Sequence, residues 1–178
     1  MSQVLRSAAR TITTLALCAL LYAMPSPVIA GGQNFDARTV TTAPVRSTQS
    51  VIVVAPPSAV YDYVSNHQNW VDWFPPFARV DVATDGKGRS FTFVDGKTML
   101  HERIVFAARP KAFAWSFRPG NPFGVTDHVG VLRFTRESVG TRVTLSSHYN
   151  HPDPKAVASN FEGGAQAILG AIQKQFSK

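Results

Sequence analysis

Between Gln49 and Tyr149 apolar and polar side chains largely alternate, in short runs broken by Pro, Gly, Asp and Asn. A period of two sends successive side chains to opposite faces of a strand, so these runs predict strands with one apolar face. The first strand reads over Gln49 to Ala55 and ends at Pro56-Pro57. Two short helical segments follow: Pro57 to Val64, with proline near its start, and His67 to Phe74, stopped by Pro75-Pro76. Strands then succeed one another at hairpin spacing. They run over Phe77 to Ala83, Arg89 to Val94, Thr98 to Ala108, Ala112 to Arg118, Asp127 to Arg136 and Thr141 to Tyr149. Asp95-Gly96 is a strong two-residue hairpin signal.

From Asp153 the period lengthens. Val157, Phe161, Ala165, Ile168, Leu169, Ile172 and Phe176 recur at spacings of three and four, which predicts one amphipathic helix over Asp153 to Phe176. Asp153 is a good N-cap and Pro154 suits the first helical position. An apolar stripe of this length needs broad cover, and a curved sheet wrapped round the helix supplies it. Gly163, Gly164 and Gly170 each cost a helix interior roughly 1 kcal/mol relative to Ala. Gly164 falls inside the stripe, between Phe161 and Ile168. Either the helix approaches the sheet closely there, or the missing side chain leaves a hollow.

The N-terminal part follows neither period. Arg6 and Arg10 precede an apolar run, Ile12 to Met24, that is too short to span a bilayer comfortably. Pro25 breaks it, and Val28-Ile29-Ala30 offers the small residues that a signal peptidase reads. Residues 1–30 therefore read as a signal peptide cleaved after Ala30, which makes the mature protein periplasmic or secreted, with no stable membrane span; the alternatives are an uncleaved anchor or a lipoprotein, and Leu17 before Cys18 argues against the latter. Cys18 is the one cysteine of the chain and leaves with the leader, so the mature protein does not depend on disulfides. Residues 31–48, rich in Gly, Thr, Ala and Arg, read as a flexible linker, and residues 49–178 as the folded domain.

The whole chain carries a formal charge of +7. That charge is spread without a Lys/Arg run, so it gives no patch or motif for nucleic acid. The five histidines form no cluster at metal-ligand spacing beyond the weak pair His148 and His151, and nothing points to a metal or another cofactor.

Several stretches carry a resemblance. Ala55-Pro56-Pro57 ends the first strand, and Trp70-Val71-Asp72-Trp73-Phe74-Pro75 follows the first short helix. His101-Glu102-Arg103-Ile104, Pro110 before an aromatic strand, and Gly140-Thr141-Arg142-Val143 opening the last strand add to it. With the order of elements, these resemble the polyketide cyclase/dehydrase and lipid-transport superfamily, also called START-like or SRPBCC, which includes the birch pollen allergen. The resemblance covers about residues 49–177. It implies an α+β helix-grip fold, with a seven-stranded antiparallel sheet curved round the C-terminal helix and two short helices after strand one. Its members include cyclases, lipid carriers and hormone receptors, so the fold alone does not choose a function.

Parity along the strands supplies candidate site residues. Phe113, Trp115 and Phe117 share one face, and placing it inward brings Leu100, Glu102, Ile104 and Phe106 inward on the preceding strand. Leu132 and Phe134 then bring His128 to the same side, and Val143 and Leu145 bring Tyr149. Glu102, His128 and Tyr149 thus form a polar set in an apolar interior, suited to acid–base chemistry through a carboxylate–imidazole pair. The plainer alternative is a structural ion pair at Glu102 and a satisfied strand histidine. Trp70, Trp73 and Phe74 at the mouth, with Ile104, Trp115, Phe117, Phe134 and Phe161 deeper, would line a pocket for an apolar or ring-shaped ligand. The reading that follows is an exported binder of a hydrophobic small molecule or lipid. The alternatives are a cyclase/dehydrase-like enzyme using Glu102 and His128, and a protein–protein module whose core is filled by its own side chains.

Overall fold

The two periods of the sequence become a sheet and a helix that bury each other's apolar faces. The computed structural model describes residues 35–177, and the leader read over residues 1–30 lies outside them. In chain order the main elements are β1 (Val45–Val53), α1 (Pro57–Ser65), α2 (Asn69–Trp73), β2 (Phe77–Val82), β3 (Gly88–Phe93) and β4 (Met99–Ala108). They continue with β5 (Ala112–Phe117), β6 (Thr126–Glu137), β7 (Gly140–Asn150) and α3 (Pro154–Gln175). The seven strands lie in the order β1-β7-β6-β5-β4-β3-β2, all antiparallel. From β2 to β7 each strand pairs with its successor, and only β1 returns to pair with β7. This is the α+β helix-grip arrangement anticipated above.

Asp153 caps α3 as its sequence position predicts: its carboxylate accepts from the backbone N–H groups of Lys155 and Ala156 at 3.1 and 3.4 Å. The helix buries Val157, Phe161, Ala165, Leu169 and Ile172. Leu169, Ile172 and Ala165 join a core with Val53, Leu132, Phe134, Val143 and Leu145 from the sheet. Helices α1 and α2 close one end. Trp70 is anchored there, its indole N–H donating to the Val64 carbonyl at 2.8 Å. Among the described residues no helix is long and apolar enough to cross a membrane.

Two expectations are corrected on the convex side of the sheet. Phe106 does not face the helix. A bulge in β4 between Ile104 and Phe106 shifts the register, pairing Phe106 with Ala114 and reversing its face. It stacks instead on Phe35, ring centroids 4.5 Å apart, in a second apolar cluster with Ala112, Ala114, Val129 and Val131. The stretch read as a flexible linker supplies that Phe35, together with buried Ala37 and a short 3-10 turn over Ala37–Thr39, and β1 begins at Val45. The physical reason is that the convex face carries apolar side chains that need cover, which a reading of strand parity assigned to solvent.

This strap is fastened to the start of β6. Thr41 Oγ1 donates to the Asp127 carbonyl at 2.8 Å, and the Thr42 backbone N–H and hydroxyl donate to Asp127 Oδ2 at 3.1 Å each. Asp127 holds a left-handed backbone (φ 52°) where the β6–β7 register shifts between Thr126 and Val129. The irregularity is over by Val129, and the His128 ring still stacks on Phe117, on the same side as Leu132 and Phe134.

Gly130, opposite Trp115 in the β5–β6 register, leaves the space in which the indole lies. A Cβ there would come within 2.5 Å of Trp115 Cζ2 and 2.6 Å of Cε2. Gly163, by contrast, would set a methyl group in open space. Gly130→Ala should therefore displace the indole and destabilise the fold by about 1–3 kcal/mol. Gly163→Ala should stabilise it by about 0.5–1 kcal/mol through helix propensity. Urea denaturation of the two variants checks this, and effects of equal sign would contradict the placement of Trp115 over Gly130.

Candidate functional site

Between the sheet and α3 the apolar faces do not meet everywhere. Gly164 is the reason on the helix side: a Cβ there would find only Phe74 Cε2, at 3.8 Å. Of the two readings of this glycine, the hollow is the one realised. The cavity beside it has an empty volume of about 600 Å³, part of it open to solvent.

Most of the wall is aromatic. Trp70, Phe74, Trp115, Phe117 and Phe161 line it as anticipated, joined by Phe77 and Phe123. Trp73, Ile104 and Phe134 do not. Trp73 is buried in the core with its indole N–H donating to Tyr63 Oη at 2.9 Å, and Phe134 packs edge-on against Tyr61 at 5.8 Å. Ile104 is a half-buried residue packed against the same core. Tyr149 faces inward but lies behind the wall, stacked on Phe161 with centroids 4.1 Å apart. Trp70 is no mouth residue either, since it is buried deep against Trp115 at 4.9 Å.

Four polar side chains reach the wall: Glu102, His128, Ser147 and Asn160. Glu102 and His128 share a row across the sheet but do not touch. Phe117, on the strand between them, pairs with Glu102 in register and stacks on the His128 ring at 3.6 Å. The anticipated carboxylate–imidazole pair is thus replaced by two separate arrangements. Glu102 Oε2 accepts from Arg89 Nε at 2.5 Å, with both side chains almost fully buried. The guanidinium lies over the Trp70 ring, 3.9 Å from its centroid, with Phe91, Phe113 and Trp115 around it. Its two Nη atoms have no hydrogen-bond partner among the described residues.

Burial pushes the Glu102 carboxyl up from its ordinary value, and the charge and hydrogen bond of Arg89 work against that. Burial likewise pushes the guanidinium down, opposed by Glu102. The pair stays ionic, because arginine keeps its proton in proteins and would otherwise be left as an uncompensated buried charge. Sequence reading missed Arg89, although the signal was present. Counting outward from the Asp95-Gly96 turn sets Arg89 opposite Glu102, as the β3–β4 register does. Among the described residues no group of three or more His, Cys, Asp or Glu side chains comes together in a way that could hold a metal ion.

His128 is buried, its Nδ1 without a partner among the described residues, and burial pushes its pKa down to about 3, helped by His148. Half-buried His67 is pushed to about 4, by burial first and by the Arg89 charge second. Both rings titrate lower in the fold than the ordinary 6.5, so the unfolded chain binds more protons between those values. Stability must therefore fall as pH is lowered below about 6.5, and be insensitive to these rings above it. Between pH 7 and 4.5 His128 alone should cost about 2–3 kcal/mol. His128→Phe, which keeps a ring on Phe117, should remove that part of the loss in denaturation curves across this range. An unchanged slope would show that His128 is protonated in the fold.

The fold and this wall can be set beside known proteins. Residues 44–178 match the family described as polyketide cyclase / dehydrase and lipid transport. No curated protein matches the sequence. Among solved structures, XoxI from Bacillus cereus is 21% identical with a TM-score of 0.63, over 73% of this chain and 94% of that one. Norcoclaurine synthase from Thalictrum flavum, a point mutant in complex with a transition-state analogue, is 18% identical with a TM-score of 0.60, over 76% and 95%. The di-domain aromatase/cyclase StfQ of the steffimycin biosynthetic pathway is 14% identical with a TM-score of 0.60, over 74% and 50%. At these identities the structures speak for the fold, while the sequence match spans most of the chain. The protein belongs to the polyketide cyclase/dehydrase and lipid-transport family.

Proposed function

We infer that this is an exported binding protein, which holds a hydrophobic small molecule or lipid in the cavity between its sheet and α3. The observation that carries the reading is the hollow itself: an aromatic wall faces bare Gly164 across space that no side chain of the described residues fills. An apolar cavity open to solvent gains roughly 25 cal/mol for each Å² of apolar surface that a ligand covers. The family to which the chain belongs is one of hydrophobic-ligand binding and of cyclase/dehydrase chemistry. Export rests on the sequence of residues 1–30, with cleavage after Ala30.

The runner-up is a cyclase/dehydrase-like enzyme, favoured by a carboxylate and an imidazole on one cavity wall. Against it, Phe117 separates the two groups and Glu102 is tied to Arg89, so neither serves the other as a proton partner. A protein–protein module with a filled core is disfavoured by the unfilled space beside Gly164.

Purification from the extracytoplasmic fraction tests the proposal. The mature chain should begin at Gly31 by intact mass, and denaturation should release an apolar compound that mass spectrometry identifies. Gly164→Leu should extend its side chain into the cavity, abolish that co-purification and leave the melting temperature undiminished. The same compound at the same yield from Gly164→Leu would place the ligand elsewhere. Turnover of the released compound that vanishes in Glu102→Gln, with binding retained, would favour the enzyme instead.

A further inference from the structure

Charge that the sequence spreads along the chain is regrouped by the strands. Alternation sets Asp81 of β2, Ser90 of β3, His101 of β4 and Arg118, just after β5, on the convex face of the sheet. Pairing then puts them in one row. Asp81 stands opposite Ser90, Ser90 opposite His101, and the Arg118 N–H donates to the His101 carbonyl at 2.8 Å. A groove runs along this row. Ala83 and Gly88 border it without filling it, since one side chain is a methyl group and the other is absent. A Cβ on Gly88 would come within 3.0 Å of the Ala83 Cβ.

We propose that this groove is a second binding site, on the opposite face of the sheet from the cavity, which takes a phosphate group between Arg118 and His101. It does not depend on what the cavity holds.

Three features select that chemistry. The first is a free cation on a fixed backbone. The Arg118 N–H is held by His101 and its carbonyl accepts from Asn121 Nδ2 at 3.3 Å, while its guanidinium has no partner among the described residues. The second is a donor beside it. Ser90 Oγ and His101 Nδ1 lie 2.7 Å apart. If the hydroxyl donates to Nδ1, the ring carries its proton on Nε2. If Nδ1 donates to the hydroxyl, the Ser90 O–H is free. Either tautomer therefore leaves the pair with one N–H or O–H to give. The third is the balance of charge. Lys87 and Arg103, the latter opposite Gly88, have no ion-pair partner among the described residues. Asp85 Oδ1 accepts from the backbone N–H groups of Lys87 and Gly88 at 2.8 and 3.1 Å. Asp81, the carboxylate on the groove itself, is paired with Arg79 at 3.0 Å. It stands two strands from His101, about 10 Å away, where solvent screens it. The donors of Arg118 and of the Ser90–His101 pair sit on neighbouring strands, about 4.8 Å apart. A tetrahedral phosphate can give two oxygens to the guanidinium fork and a third to the pair. A planar carboxylate spends both its oxygens on the fork.

NMR titration of the purified protein with inorganic phosphate at pH 7 tests this, read at the His101 ring and at the Arg118 Nε–H. Acetate at matched ionic strength is the planar comparison. Phosphate should shift both signals saturably and bind roughly tenfold more tightly than acetate. Arg118→Met keeps the apolar stem, removes an exposed charge, and should weaken phosphate roughly tenfold. Arg142→Met removes the same charge from β7, where Arg142 is paired with Glu137, and should leave the affinity unchanged. No saturable shift at His101, an equal response to acetate, or equal effects of the two substitutions would overturn the proposal. Flotation separates the two sources of the group, using phosphatidylcholine vesicles with and without phosphatidic acid. Flotation that needs both phosphatidic acid and Arg118 supports a lipid headgroup as the occupant. Phosphate binding that needs Arg118, without flotation, supports a soluble phosphate compound.

Discussion

Arg89 and Glu102 hold opposite charges away from water, with side chains 0% and 3% exposed, and such a pair is tolerated only while each charge keeps its partner. Its demands run through the concave side of the fold. The contact requires the β3–β4 register that the Asp95-Gly96 turn sets. Among the described residues Arg89 has partners for one guanidinium nitrogen and none for the other two, so the aromatic faces around it supply much of what water would have given. Trp70 provides the nearest face, and its own N–H is held by the carbonyl of Val64, so the closing helices α1 and α2 are drawn to the same place. Trp115 completes the enclosure only because Gly130 leaves room beneath its ring.

The same economy of side chains makes the cavity. Around the charge pair the interior is crowded, and beside Gly164 it is not. The ring of Phe74 comes within ordinary contact distance of where a Cβ would be, and beyond it the wall is left open. Helix α3 thus has two parts with different work. Leu169 and Ile172 seal it against the sheet, while Phe161, Gly164 and Ile168 face empty space. In a family fold that serves binding and chemistry alike, this chain keeps its two titratable wall residues apart with Phe117.

Much of this was legible in the residues. The change of period at Asp153, the Asp-Gly turn and the alternation of Phe113, Trp115 and Phe117 carried the fold, and parity alone brought Glu102 and His128 inward. Parity failed where the backbone broke step. The bulge after Ile104 reversed Phe106, and nothing in the alternation of β4 announces it. The strap of residues 35–44 escaped because its contacts are single side chains, Phe35 and Ala37, placed on a face that a two-state reading of strands gives to solvent. Arg89 was overlooked for a different reason: an arginine within a strand is ordinarily counted as outward. Only pairing across the turn shows that it shares a face with Phe91 and Glu102. Depth was also beyond sequence, which could not tell that Tyr149 stops behind Phe161 while Phe117 reaches the cavity.

The account stands on a ligand lying between the sheet and α3. The direct measurement is isotope-filtered NMR of methyl-labelled protein with a bound ring compound, which reports which methyl groups lie close to the ring. The account predicts contacts from ring protons to Leu100, Leu145, Ala165 and Ile168, all on the cavity wall. Contacts confined to Val129 and Val131 under the strap, or to the exposed Val54 and Val139, would contradict it.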